Sequence, residues 1–223
     1  MIRRIFDILF YEFGPQGWWP VNNKYNKKNF SIPENSRQRF EIILGAVLTQ
    51  NTSWKNVEKA LDNLRKNNLI SPLRIVKSKD KKIAELILSA GYFNQKTKYL
   101  KNIAQFFIDN KKAENYPVNE LRKRLLGVKG IGPETADSIL LYAFKKPVFV
   151  VDVYTKRIFS RLGICTKNIG YSDLQDIFNN SLPKSVCLYN EYHALLVKLA
   201  KKNCSKMPVC QTCPLSGLCK KNL

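Results

Sequence analysis

Along much of the chain, apolar residues recur at helical rather than alternating spacing. Phe40, Ile43, Leu44, Val47 and Leu48 follow i, i+3, i+4, i+7, i+8, which is one stripe of a helix. Val57, Ala60, Leu61 and Leu64 repeat the pattern, as do Ile83, Leu86, Ile87 and Ala90. Tyr99, Leu100, Ile103, Ala104 and Phe107 predict another helix, Val118, Leu121 and Leu125 a short one, and Ala136, Ile139, Leu140 and Ala143 the next. Pro33, Pro72 and Pro117 punctuate these stretches. Val148 to Val151 alone reads as a strand, too short and isolated to seed a sheet. The opening MIRRIFDILFYEF reads as an amphipathic helix, because Asp7 interrupts its apolar run and no small-residue cleavage site follows. The pattern predicts an all-α protein whose loops carry the chemistry.

Charge narrows the partners. Lys and Arg number 38 against 17 Asp and Glu, a net charge of +21. Such a chain binds polyanions, phosphate backbone first among them, and binding weakens as salt rises. A membrane surface or an acidic protein would answer to charge alone. No apolar run approaches the ~20 residues of a spanning helix, so no membrane span is expected. At 223 residues and 44% hydrophobic, the chain can bury one large core or two modest ones.

Near the end stand Cys204, Cys210, Cys213 and Cys219, spaced C-x5-C-x2-C-x5-C within sixteen residues. Four thiolates this close can share one metal centre, an ion or a cluster. An intracellular setting, cytoplasmic or nucleoid-associated, keeps thiols reduced and favours metal over disulfides. Cys165 and Cys187 lie outside the run and read as buried small hydrophobes.

The most informative interior stretch is LLGVKGIGPETADSILLYAFKKPVFVVDVYTKRIFSRLG, residues 125 to 163. A helix meets Gly127, then Gly130-Ile131-Gly132 precede Pro133 and a new amphipathic helix. Glycines allow the tight turn, and Pro suits the first helical position. Amides left bare there can bind a phosphate without reading sequence, while the plain alternative is a turn between packed helices. With Thr135-Ala136 and Val151-Asp152 in register, residues 126 to 162 resemble the helix–hairpin–helix and Gly-Pro-Asp region of the endonuclease III superfamily of DNA glycosylases. LTQNT at 48–52, GYFNQK at 91–96 and the cysteine run extend the likeness over nearly the whole chain, although the family's first cysteine gap is commonly one residue longer.

The resemblance implies a set of roles. Asp152 becomes the catalytic carboxylate, stabilising positive charge on the sugar or activating water, and it is equally placed to cap the helix that begins at Val153. The four cysteines become ligands of a [4Fe–4S] cluster, with Zn²⁺ the alternative. Lys129, Gly130 and Gly132 become phosphate contacts, Gln50 a gap-filling residue and Tyr92 a wedge beside the orphaned base. Lys201, Lys202, Lys206, Lys220 and Lys221 make the cysteine loop basic.

One departure bears on mechanism. Bifunctional members carry a lysine nucleophile where this chain has Glu134. A carboxylate forms no imine, so the implied enzyme is monofunctional, using water and leaving the abasic strand intact. Glu134 also suits the first turn of a helix for its charge alone. Gly17-Trp18-Trp19-Pro20, Trp54 after the LTQNT loop and the glutamate resemble the 3-methyladenine DNA glycosylase branch, where aromatics stack on the base. N3-methyladenine and N7-methylguanine are cationic, which indole faces favour. A core role for all three tryptophans is the alternative, and His193 reads as a packing or surface residue.

These features predict a six-helix barrel over 34–146 with the hairpin, and a second helical domain from 1–33 and 147–223 with the cluster loop. A DNA-binding cleft lies between them in this reading. The protein is expected to be a monomer acting on double-stranded DNA with damaged bases, excising alkylated purines. A mismatch or damaged-pyrimidine glycosylase and a non-catalytic DNA-binding protein are the rivals.

Overall fold

The computed structural model describes residues 1–27 and 29–222. Among them are eleven α-helices and no strand, so the all-α expectation holds. An isolated antiparallel bridge joins Val21 to Lys24. No described helix is long and apolar enough to cross a membrane. The chain divides into two compact units, one of 19–24 and 31–146, the other of 1–18, 25–30 and 147–223.

The first unit is built around α2 (Ser36–Leu48), with Asn35 capping it by accepting from the Gln38 amide at 3.0 Å. Every residue from Phe40 to Leu48 is buried, so the helix is covered on all sides and its amphipathic stripe understates its burial. Glu41 survives there because Arg65 donates to its carboxylate at 2.7 Å and the Asn22 amide at 2.8 Å. Around α2 pack α3 (Trp54–Lys66), α6 (Phe93–Asp109), and α8 (Pro133–Ser138), which runs on through a wider π-type turn at Ile139–Ala143. Between them come α4 (Pro72–Lys77), which Pro72 opens at its first turn, α5 (Asp80–Leu86) and α7 (Val118–Leu126). The periodic run through Ala90 breaks at Ile87, after which Leu88–Ala90 forms a single tight turn.

The second unit holds α1 (Ile2–Phe13), α9 (Val153–Arg161), α10 (Tyr171–Ser181) and α11 (Val186–Lys202). Its core is aromatic. Phe149 stacks on Phe178 at 3.7 Å between ring centres and meets Tyr189 and Tyr192 edge-on. Tyr192 satisfies its buried hydroxyl on the Ile2 carbonyl at 2.8 Å, tying α11 to α1. The strand-like run at 148–151 is extended but joins no sheet. Its Phe149 carbonyl accepts from Gln175 of α10 at 2.6 Å instead, so burial of Phe149, Val150 and Val151 explains its composition. Cys187 is exposed and Cys165 only half-buried, which corrects the expectation of two buried thiols. Cys187 lies on the exposed side of the first turn of α11, whose Leu188 and Tyr189 are buried.

Candidate active site and hairpin

Asp152 is 8% exposed and stands immediately before α9. Its Oδ1 accepts from the Thr155 amide at 2.7 Å and from the Thr155 hydroxyl at 2.7 Å, a helix N-cap. Oδ2 stays outside the cap and lies 3.7 Å from His193 Nε2 on α11, an ion-pair distance rather than a hydrogen bond. Burial pushes the carboxyl up, but His193 and the two Thr155 bonds outweigh it and hold Asp152 below the ordinary carboxylate range. The residue is thus a buried carboxylate kept ionised, with one oxygen anchored and the other beside a histidine. The sequence reads His193 as packing or surface, and the structure shows it half-buried with Asp152 beside it. Helical periodicity places it on α11 but gives no sign that α9 brings a carboxylate to it.

The cysteine loop belongs to the same unit. Cys204, Cys210, Cys213 and Cys219 are all half-buried thiols. Burial pushes the Cys213 thiol up, and the thiols of Cys204, Cys219 and Cys210 around it add to the rise. Arg161 of α9 donates to Cys204 Sγ at 3.3 Å and to the Ser205 carbonyl at 2.6 Å, and the Lys221 amide donates to Cys219 Sγ at 3.3 Å. Arg157 holds the Cys204 carbonyl at 2.9 Å. Among the described residues, no three His, Cys, Asp or Glu side chains form a group that could hold a metal ion. Lys201, Lys202, Lys206, Lys220 and Lys221 are exposed.

In the other unit, α7 and α8 enclose the hairpin. Arg122 pairs bidentately with the fully buried Asp137, at 2.6 and 3.0 Å, fixing one helix on the other. Gly130 has φ +99, and a Cβ there would stand 2.2 Å from the Tyr99 ring, so conformation and space both require glycine. Asn102 of α6 donates to the Lys129 carbonyl at 3.1 Å. A trans peptide points its N–H opposite its C=O, so the Gly130 N–H is turned away from Asn102. Gln50 donates to the Gly130 carbonyl at 3.0 Å and to Thr135 Oγ1 at 2.9 Å. Its amide therefore braces the hairpin. Lys129, Gly132 and Glu134 are exposed, Glu134 in the first turn of α8.

Tyr92 is 68% exposed and has left-handed backbone angles, φ 44 and ψ 34. Trp19 and Trp54 meet edge to face at 5.1 Å and are 7% and 8% exposed. Trp19 lies against Gly45, whose missing side chain admits the indole. In the smaller unit, Trp18 is half-buried and meets Tyr25 edge-on at 5.9 Å.

Residues 44–184 match the model of the HhH-GPD superfamily of base excision DNA repair proteins. The chain belongs to that superfamily. The chain is 42% identical, over 98% of its length and 96% of the relative's, to MJ1434 of Methanocaldococcus jannaschii, designated a DNA repair glycosylase. It is 33% identical to the Endonuclease III of Sulfolobus acidocaldarius, over 83% of each chain. It superposes on the Helicobacter pylori 3-methyladenine DNA glycosylase MagIII, solved with 1,N6-ethenoadenine, with a TM-score of 0.71 and 28% identity, covering 90% of this chain and 97% of that one. The HhH-GPD assignment and this last likeness agree with the branch that the hairpin glutamate and the WWP run suggest.

Proposed function

We propose that this HhH-GPD protein is a monofunctional DNA glycosylase that hydrolyses the N-glycosidic bond of alkylated purines, 3-methyladenine and 7-methylguanine among them. It works as a monomer on duplex DNA. The carrying observation is Asp152, a buried carboxylate kept ionised with Oδ2 outside its cap. Breaking the glycosidic bond builds positive charge on the sugar, and a fixed anion stabilises that charge or takes a proton from water. Alkylated purines already carry positive charge and leave readily, so the site needs no strong acid. Glu134 in the hairpin supplies no amine, which is why hydrolysis is favoured over imine formation and strand elimination.

The other residues take supporting roles in this reading. The Gly130 and Gly132 backbone with Lys129 holds phosphate, Tyr92 wedges into the stack, and Gln50 shapes the loop beside it. Trp18 offers the more accessible indole for stacking on a cationic base, while Trp19 and Trp54 anchor the WWP turn and the start of α3 in the core. The number and sequence spacing of Cys204, Cys210, Cys213 and Cys219 support a [4Fe–4S] cluster, with N–H groups of Arg161 and Lys221 donating to sulfur, although the thiols as placed do not group about a single metal ion. Bound there, the cluster would cross-link the loop and hold its lysines in place. Visible absorbance with matching iron and sulfide content tests it, and a colourless protein carrying zinc would refute it.

The likeness to Endonuclease III supports a second reading, excision of damaged pyrimidines. Methylated duplex DNA decides between them. Chromatography of released bases should show 3-methyladenine or 7-methylguanine, with strand breaks only after alkali and no borohydride-trapped adduct. Release of neither base by protein with its metal centre intact would overturn the alkylpurine assignment.

A further inference from the structure

Lys96 of α6 is 2% exposed, a rare place for a lysine unless its charge is paired or bonded. Its Nζ donates to the Leu48 carbonyl at 2.7 Å and to the Ala90 carbonyl at 2.8 Å. Both carbonyls close helical segments, Leu48 the end of α2 and Ala90 the end of the Leu88–Ala90 turn. Such carbonyls lack partners along the helix and carry partial negative charge, so an ammonium is a fitting donor. Burial lowers the Lys96 ammonium to about 8, which leaves it mostly protonated at pH 7.

The residues just beyond each carbonyl give this joint its meaning. Two residues beyond Leu48 comes Gln50, whose amide braces the hairpin at Gly130 and Thr135. Two residues beyond Ala90 comes Tyr92, an exposed ring on a left-handed backbone directly after Gly91 at φ 69. Left-handed angles at a bulky residue cost energy and persist only where neighbours impose them. A single buried ammonium therefore fixes the ends of two loops, one gripping the hairpin and the other presenting an aromatic ring to solvent.

We propose that Lys96 is a positioning residue for strand probing, setting the spacing between the Gln50 loop and the Tyr92 turn so that both engage a duplex in register. The inference rests on the glycosylase reading above. It assigns Lys96 no contact with DNA and no part in bond cleavage.

The test compares Lys96→Met with wild type in single-turnover excision of 7-methylguanine from two substrates. In one the lesion is fully paired, and in the other it already stands opposite a gap and needs no wedge. On the paired duplex Lys96→Met should be slower by about ten- to hundredfold, as expected when a positioning contact is lost. On the gapped substrate it should stay within about threefold of wild type. In a Tyr92→Ala background, Lys96→Met should add little further loss on the paired duplex. Equal losses on both substrates would mean a merely structural lysine, and no loss on the paired duplex would remove the role altogether; either result overturns the proposal. Should Lys96→Met fail to fold, Lys96→Gln, which keeps an N–H donor without the charge, carries the same comparison. If wild type excises from neither substrate, the glycosylase reading has failed. Fluorescence of 2-aminopurine beside the lesion then still reports whether Lys96→Met loses the unstacking that wild type produces.

Discussion

Asp152 caps α9 and is the carboxylate proposed to act on the glycosidic bond, and a pair of substitutions separates the two roles. Its Oδ1 accepts both Thr155 bonds at 2.7 Å, whereas Oδ2 faces His193. Asp152→Asn keeps an oxygen for Thr155 and deletes the charge. Asp152→Ala deletes both. If the carboxylate acts on the glycosidic bond, each variant should lose about 10²–10⁴-fold in single-turnover excision, the usual range for a positioned acid–base group. Stability should divide them. A lost cap costs about 1 kcal/mol. In a protein of this size, 1 kcal/mol is about 2–4 °C in Tm, so Asp152→Ala should melt that far below Asp152→Asn.

The charge leaves its own mark. Because the folded carboxyl lies below its ordinary range, ionised Asp152 contributes stability above the unfolded pKa, and that stability is lost as pH falls through the folded value. Asp152→Asn should therefore melt below wild type at neutral pH and approach it in acid. Thermal melts across pH and excision assays on the same preparations make the measurement. Excision by Asp152→Asn within about threefold of wild type would refute the catalytic role and leave Asp152 a cap. Equal melting of the Asn and Ala variants would refute the cap.

Three further outcomes are expected. His193→Gln removes the imidazole whose contact opposes burial at Asp152, so the acid limb of the pH–rate profile should move to higher pH while the rate at pH 8 changes little; an unmoved limb would separate His193 from the carboxylate. Gly130→Ala forces a Cβ into the Tyr99 ring and leaves φ +99 unsuited to alanine, so it should destabilise by about 2–4 kcal/mol and weaken duplex binding; a melt equal to wild type would contradict the packing. Arg122→Met removes the bidentate partner of the fully buried Asp137 carboxylate, with an expected cost of about 3–5 kcal/mol by denaturant titration; a loss under about 1 kcal/mol would show the pair to contribute little.

Apolar periodicity made most helices legible because each buries one face. It failed where that premise fails. α2 is covered on every side, so Ile42 and Ala46 are core positions outside the stripe, and Gly45 is there to admit Trp19. Val148 to Val151 has strand composition because it is buried, yet its backbone is satisfied partly by a glutamine side chain rather than a ladder. The hairpin and Asp152 were legible for a different reason. Turn glycines, Pro133 and the capping aspartate are local chemistry, and local chemistry is written in adjacent residues.

Buried and half-buried polar residues were the hard part, and the reason is physical. Lys96 reads in sequence as one of many lysines in a basic protein, and its meaning comes from the carbonyl of Leu48, 48 residues earlier. Gln50 reads as a loop amide until Gly130 and Thr135, 80 and 85 residues away, are seen to accept its hydrogen bonds. His193 reads as one residue of a helix until α9 places Asp152 beside it. Burying such groups costs energy unless their partners are in place, so each marks a position where the tertiary fold must be right before the residue is tolerable. Lys96 meets that condition through carbonyls at helix ends, Gln50 through the hairpin and the start of α8, and His193 through a carboxylate. Loops and carboxylates are also where the proposed chemistry of this protein lies. A buried polar residue bonded to the end of a helix is therefore a better guide to working parts here than the exposed lysines, which supply attraction to phosphate but no geometry.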